Sequence, residues 1–259
     1  MTRYPAMFER LAERREGAFG AFVMLGDPDP ARSASILDAL VEGGADMLEV
    51  GIPFSDPVAD GPVIQAAAVR ALAAGTRTAD CFRLLGDFRG RHPGVPVGIL
   101  TYANLVMARG REAFYGAAAE AGVDSVLVAD VPLIEAGPFL ASARAAGVAP
   151  VLIAAPNTPP ERLRRIASEG EGYTYCVARA GVTGAGAEVR FAGEVIAALR
   201  AAEAPPPVLG FGISEPDHVR LALEAGAAGV ISGSAIVERV ARGEDVRSFV
   251  AEMKAASRP

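Results

Sequence analysis

Short apolar, β-branched runs alternate along this chain with alanine-rich stretches whose apolar residues recur near every 3.6 positions. The runs predict strands at 20–25, 47–51, 95–101, 125–129, 149–154, 173–178, 207–210 and 228–232. They read as buried on both faces, as parallel sheets require. The intervening pattern predicts helices at 31–42, 62–74, 111–121, 134–146, 160–168 and 215–225. Three helix-to-strand joints, at 43–46, 121–124 and 225–228, carry the glycine that ends a helix before the chain turns into a strand. Eight βα units in 259 residues fit a single (β/α)8 TIM barrel covering 1–259. An amphipathic segment at 6–15 predicts an extra N-terminal helix plugging the barrel bottom, and a C-terminal helix is expected at 245–256. A doubly wound sheet is the alternative, but it would place G-x-G-x-x-G after the first strand. Leu25-Gly26-Asp27-Pro28 stands there instead.

Composition narrows the class. The chain is 51% hydrophobic with a net charge of −6, and its arginines are scattered, which argues against a nucleic-acid surface. No apolar run approaches the roughly 20 residues of a membrane span. The N-terminus lacks the apolar core of a signal peptide. Cys81 and Cys176 lie far apart without metal-ligand spacing, so a reducing, cytoplasmic compartment without a disulfide is expected. Lys254 is the only lysine and lies in the C-terminal helix; His92 and His218, the only histidines, read as surface residues.

In a TIM barrel the active site gathers at the C-terminal ends of the strands. The second strand ends there on an acid, in Leu48-Glu49-Val50-Gly51-Ile52-Pro53-Phe54-Ser55-Asp56-Pro57-Val58-Ala59-Asp60-Gly61-Pro62. Glu49 ends a hydrophobic strand and should have a raised pKa; Asp60, on a more polar loop, should stay ionised. Two carboxylates in different settings can divide acid and base roles. The bland reading makes Asp60 a helix cap. Glycine-rich ends on the seventh and eighth strands, with Gly233-Ser234 opening a helix, predict a phosphate held on backbone amides and a helix dipole. The segment 179–189, with Gly181, Gly184 and Gly186, reads equally as a lid or as a plain connector. No side chain suits a Schiff base in the site, and no histidine cluster suits a metal. What remains is carboxylate acid–base chemistry on a phosphorylated substrate, by a lyase or an isomerase.

The 48–62 string closely resembles the active-site loop of the tryptophan synthase alpha subunit family. The resemblance extends through Leu25-Gly26-Asp27-Pro28, Thr101-Tyr102-Ala103-Asn104-Leu105, the 122–132 segment, Gly172-Tyr173-Thr174-Tyr175, Gly181-Val182-Thr183-Gly184, Gly210-Phe211-Gly212-Ile213-Ser214 and 226–237. It implies cleavage of indole-3-glycerol phosphate into indole and glyceraldehyde 3-phosphate. In that reading Glu49 protonates indole C3 and helps deprotonate the glycerol hydroxyl. Asp60 accepts the indole N–H proton, and Tyr175 lies beside the reacting groups. Gly184, Gly212, Gly233 and Ser234 match the family's phosphate site, Phe22, Leu100 and Phe211 its indole pocket, and Thr183 is a further substrate-binding match. The resemblance further implies no cofactor on this chain. It implies a beta-subunit partner that carries pyridoxal phosphate in an α2β2 assembly, and an interface including Asp56, Asn104 and Pro132, all expected on loops. One departure is the 185–189 segment, Ala-Gly-Ala-Glu-Val, which is leaner in polar side chains than the family pattern. A free-standing lyase independent of a beta subunit, and a phosphate-binding barrel without turnover, are the alternatives.

Overall fold

The computed structural model describes residues 2–177, 185–210 and 212–258, with only the backbone described over 185–192. Its strands are β1 (Ala18–Met24), β2 (Met47–Gly51), β3 (Val97–Thr101), β4 (Ser125–Val128), β5 (Ala149–Pro150), β6 (Leu152–Ala154), β7 (Thr174–Cys176), β8 (Pro207–Leu209) and β9 (Gly229–Ser232). All pair in parallel, in the order β5-β4-β3-β2-β1-β9-β8-β7-β6. β5 and β6 are two parts of the strand expected at 149–154. Pro150 has no amide to give to a ladder, and the strand divides beside it. Val151 carries the chain across, its N–H donating to the Val126 carbonyl at 3.1 Å. The sheet thus returns on itself as a TIM-type barrel of eight strand positions.

Among the described residues, twelve α-helices pack around it or close its end: α1 (Tyr4–Glu13), α2 (Pro30–Glu42), α3 (Pro62–Ala73), α4 (Thr78–Arg91), α5 (Ala103–Arg109), α6 (Arg111–Glu120), α7 (Gly137–Ala145), α8 (Pro160–Glu169), α9 (Ala185–Ala201), α10 (Pro216–Glu224), α11 (Ser234–Arg242) and α12 (Val246–Ala255). Six of them begin where the sequence places a proline in the first turn, whose missing N–H is no loss there. Three expectations are corrected. The helix expected at 134–146 begins at Gly137, because Leu133–Glu135 forms a separate 3-10 turn. Ala185–Val189, expected within a loop, forms the start of α9. Asn104, expected on a loop, lies in the first turn of α5. α4 ends with His92 as its C-cap, which the proline after it marks as a helix end, but its start was not delimited from the sequence. Its arginines and two glycines dilute the apolar signal, but Cys81, Phe82, Leu85 and Phe88 are buried along one helical face.

Period-two alternation divides the core into two layers. Along β2, Leu48 and Val50 pack outward among the helices, while Met47 belongs to the cluster inside the barrel with Phe22, Leu127, Tyr173, Tyr175 and Ile231. Glu49 shares Met47's phase, so burying Leu48 and Val50 turns its carboxyl inward. α1 closes the opposite end of the barrel as expected. Tyr4, Met7 and Leu11 are buried, and the Tyr4 hydroxyl sits 2.8 Å from Ser125 Oγ at the start of β4. Gly98 leaves room for this plug: a Cβ there would lie 2.6 Å from Ser125 Oγ and 3.0 Å from the Tyr4 hydroxyl.

Candidate active site at the C-terminal end of the barrel

A cavity of about 480 Å³ opens at the C-terminal ends of the strands. It lies within the usual range for small-molecule sites. Phe22, Leu100, Leu127 and Ile153 supply apolar wall; Glu49, Asp60 and Tyr175 reach into it; Gly212, Ser214, Gly233 and Ser234 line another part. Most side chains expected to form the site therefore share one cavity although they come from six strands and their loops.

Glu49 is 1% exposed and accepts a hydrogen bond from the Tyr173 hydroxyl at 2.7 Å. Burial pushes its carboxyl up to about 7, and the Tyr173 hydrogen bond opposes that rise. The group can hold or release a proton near neutrality. Its row in the barrel explains the burial: Phe22 pairs with Glu49 from β1, and Gly98 flanks it from β3. Tyr173 was not among the expected site residues. Its signal was the Tyr173-Thr174-Tyr175 alternation, which puts both tyrosines in the inner cluster.

Asp60 is not the cap of α3. The N-cap position is Gly61, and no side chain caps the helix. Asp60 instead lines the cavity, where partial burial raises its carboxyl pKa and a hydrogen bond with the Tyr102 hydroxyl pulls the other way. The setting of Asp60 is still less buried than that of Glu49. The loop is tied down on both sides: Tyr102 accepts the Ala59 N–H at 3.3 Å, and Gln65 Nε2 donates to the Asp60 carbonyl at 2.7 Å.

Tyr175 lies across the end of β8, donating to the Gly210 carbonyl at 2.7 Å. A Cβ at Gly210 would fall 2.1 Å from the tyrosine ring, so this glycine serves Tyr175 rather than an anion. Burial holds the phenol well above its ordinary pKa, and it remains protonated. Gly212 has φ +75°, which favours glycine. At α11, the amides of Ile236 and Val237 turn back to the Gly233 carbonyl, leaving those of Ser234 and Ala235 at the helix N-terminus beside the cavity. Thr183, Gly184 and Phe211 lie outside the described residues, as does the 179–184 part of the expected lid.

Asp56 and Pro132 are exposed on the loops after β2 and β4, and Asn104 is exposed on α5 after β3. None lines the cavity. Lys254 is far from it, held between Glu16 at 3.0 Å and Asp46 at 2.9 Å on the opposite face. Among the described residues, no cluster of His, Cys, Asp or Glu is arranged to hold a metal ion. Nor is any helix among them long and apolar enough to cross a membrane.

The family model described as tryptophan synthase alpha chain matches residues 8–258. The chain belongs to the tryptophan synthase alpha chain family. The tryptophan synthase alpha chain of Shewanella amazonensis is 54% identical over 266 residues, covering 99% of this chain and 100% of the relative. That of Cronobacter sakazakii is 54% identical over 270 residues, covering 100% of both. Among solved structures, a protein from Aquifex aeolicus superposes with a TM-score of 0.93 at 33% identity, covering 100% of both chains. Tryptophan synthase from M. tuberculosis in its aminoacrylate-bound form superposes at 0.90 with 28% identity, again over 100% of both chains. As a tryptophan synthase alpha chain, this protein is a carbon–carbon lyase of tryptophan biosynthesis, cleaving indole-3-glycerol phosphate.

Proposed function

We propose that Glu49 and Asp60 are the acid–base pair of this cleavage, working within one barrel domain. The observation that carries the assignment is the pair itself. The cavity holds one carboxyl pushed to about 7 by burial and a second, less buried carboxyl that is raised less strongly. Protonated Glu49 gives its proton to indole C3 while Asp60 takes the proton from the indole nitrogen, producing the indolenine tautomer. Glu49, now a carboxylate, removes the proton from the hydroxyl on the carbon attached to C3. The carbon–carbon bond breaks, its electron pair returns to the ring, and the oxygen becomes the aldehyde of glyceraldehyde 3-phosphate. Asp60 returns its proton to nitrogen, and indole leaves. A group with a pKa near 7 suits the double duty of donor and acceptor at neutral pH.

The walls at Phe22 and Leu100 take the indole ring, with Phe211 assigned beside them by resemblance. The phosphate rests on the backbone at Gly212, Gly233 and Ser234, with Gly184 completing the group and Thr183 a further substrate contact by resemblance. Tyr175 orients the reacting region through a hydroxyl fixed on Gly210.

The partner is a beta subunit carrying pyridoxal phosphate in an α2β2 assembly. The cofactor is assigned to the partner because this chain's one lysine is engaged elsewhere. The cavity-side loops and α5 support an interface through Asp56, Asn104 and Pro132. The same segments expose Val58 (80%), Met107 (49%) and Ile134 (79%), large apolar side chains that a docked partner would cover. These features favour the partnered enzyme over a free-standing lyase. A cytoplasmic setting fits two cysteines that are both buried and free.

Glu49→Gln tests the acid–base assignment. It keeps the shape and the acceptor for Tyr173, so the protein should fold and bind substrate. Indole release should fall by roughly 10²–10⁴ or more. Near-normal turnover in a folded Glu49→Gln protein would refute the assignment.

A further inference from the structure

A second cavity, of about 600 Å³, lies at the other end of the barrel, where α1, α9, α10 and the C-terminal tail converge. Phe8, Leu11 and Leu223 give it apolar wall. Arg15, Arg200, Arg220 and Arg258, all exposed at its rim, are among the residues that line it. The chain as a whole carries a net charge of −6, so this basin runs against the global charge.

The two carboxylates in the lining do not neutralise it. Glu16 is already bonded to Lys254 at 3.0 Å, with Arg258 more distant at 3.7 Å. Arg220 is paired with Asp217 on α10. Arg15 and Arg200 have no carboxylate within 4.0 Å among the described residues, and Glu224 alone is left to offset them. Arg15 also stands at φ +57°, just past the end of α1. That left-handed position is where glycine costs least, and an arginine there is strained. Strain of this kind, held on a charged side chain at a cavity wall, points to use.

We infer that this lower cavity is a binding site for a small amphipathic anion, a carboxylate or phosphate on an apolar ring or short chain, whose charge is taken by Arg15 and Arg200. Guanidinium groups bind both anions through two parallel N–H donors, and their flat faces also stack on rings. The site is separate from the lyase cavity, and its ligand need not take part in the cleavage.

The test uses the full chain titrated calorimetrically with benzoate, with benzyl alcohol as the neutral isostere and acetate as the anion without a ring. Benzoate should bind saturably with a dissociation constant of about 0.1–1 mM, and each control should bind at least about tenfold more weakly. Phenyl phosphate is titrated after the upper cavity has been saturated with substrate product, to compare the two anion types in the lower site alone. Arg15→Gly and Arg200→Gln should each weaken benzoate at least about tenfold while indole release from indole-3-glycerol phosphate stays at its original rate. Arg15→Gly should also melt at an equal or higher temperature, because glycine relieves the left-handed backbone. Loss of binding in a protein that is at least as stable cannot come from misfolding. The inference is overturned by no saturable benzoate binding up to about 10 mM. Equal binding of benzyl alcohol or acetate, or benzoate binding unchanged in both variants, overturns it too.

Discussion

Glu49 shows how one residue sets activity and stability in opposite directions. Its carboxyl titrates near 7 in the folded protein, against a reference value of 4.5. The unfolded chain therefore ionises first, and folding loses stability as pH rises between these values. Below about pH 4.5 the raised pKa costs nothing; above about 7 the whole penalty applies, about 3 kcal/mol. Glu49→Gln carries no charge to desolvate. It should be more stable than the parent at pH 8, by up to that amount, with the gap closing towards pH 5, as measured by urea unfolding at both values. Asp60 poses a different residue-scale question. Asn caps a helix as well as Asp, and Asp60 does not cap α3 in any case. Asp60→Asn should leave the melting temperature unchanged and nearly abolish indole release. A fully active variant would remove Asp60 from the mechanism. Glu49 stood out in the sequence because an acid in an apolar strand is costly unless used, and Asp60 because a second acid returns on the same loop. Tyr173 was harder to see, since its partner lies 124 positions away.

At the scale of elements, the start of α11 and the plug α1 do separate jobs at opposite ends of the barrel. Ser234 lines the cavity at the start of α11; if its hydroxyl holds the phosphate as proposed, Ser234→Ala should cost about 1.5–3 kcal/mol of substrate affinity, one hydrogen bond to a charged group. Gly233 has φ −114°, open to any residue. A Cβ there would meet Phe22 at an ordinary 3.7 Å. Gly233→Val should fold, yet fill the space the phosphate needs, and so lose more affinity than Ser234→Ala. Equal or reversed losses in binding measurements would move the phosphate elsewhere. At the other end, Tyr4→Phe removes the partner of a buried Ser125 hydroxyl. It should lower unfolding stability by about 1–3 kcal/mol with the substrate's KM unchanged. The two ends differed in legibility. α1 announced itself by its spacing, and Gly233-Ser234 announced the helix start that the structure places beside the cavity. α4 and α5 were harder to delimit, because arginines and glycines break up the apolar face of α4 and α5 is only 7 residues long.

For the whole molecule, Lys254 ties the last helix to the first strand pair. Its ammonium reaches Glu16, Asp46 and the Gly17 carbonyl. Asp46 in turn accepts the Phe19 N–H at 2.8 Å, and the Ser257 carbonyl accepts the Gly17 N–H at 2.8 Å. Lys254→Met would leave Asp46 without its cation and Glu16 with only Arg258 at 3.7 Å, a loss of about 1–3 kcal/mol for two partly buried carboxylates. The hydrogen bond to Lys254 lowers the Glu16 pKa. The stability this confers is present above the unfolded carboxyl value and is lost as pH falls through the folded one. Acid unfolding should accordingly be less steep in Lys254→Met than in the parent, as followed by circular dichroism. From the sequence this lysine was notable only for being unsuited to catalysis; its structural use depends on residues more than 200 positions away.

The amino-acid sequence by itself determined the alternation of strands and helices, the parallel barrel, and the two acids of the 48–62 segment. Each of these is a local pattern: a period, a capping residue, or a costly residue type at a strand end. Its long motifs also carried the family. The closed sheet decided which of those residues meet. Facing Leu48 and Val50 to the helices forced Glu49 inward, and only the packed interior, with Tyr173 brought from the far side of the barrel, set its proton affinity. The lower cavity is likewise a product of tertiary structure, since its arginines are scattered from position 15 to 258 and form a cluster only where the chain's two ends converge. Charge and burial are properties of a three-dimensional neighbourhood, and the order of residues along the chain does not record them.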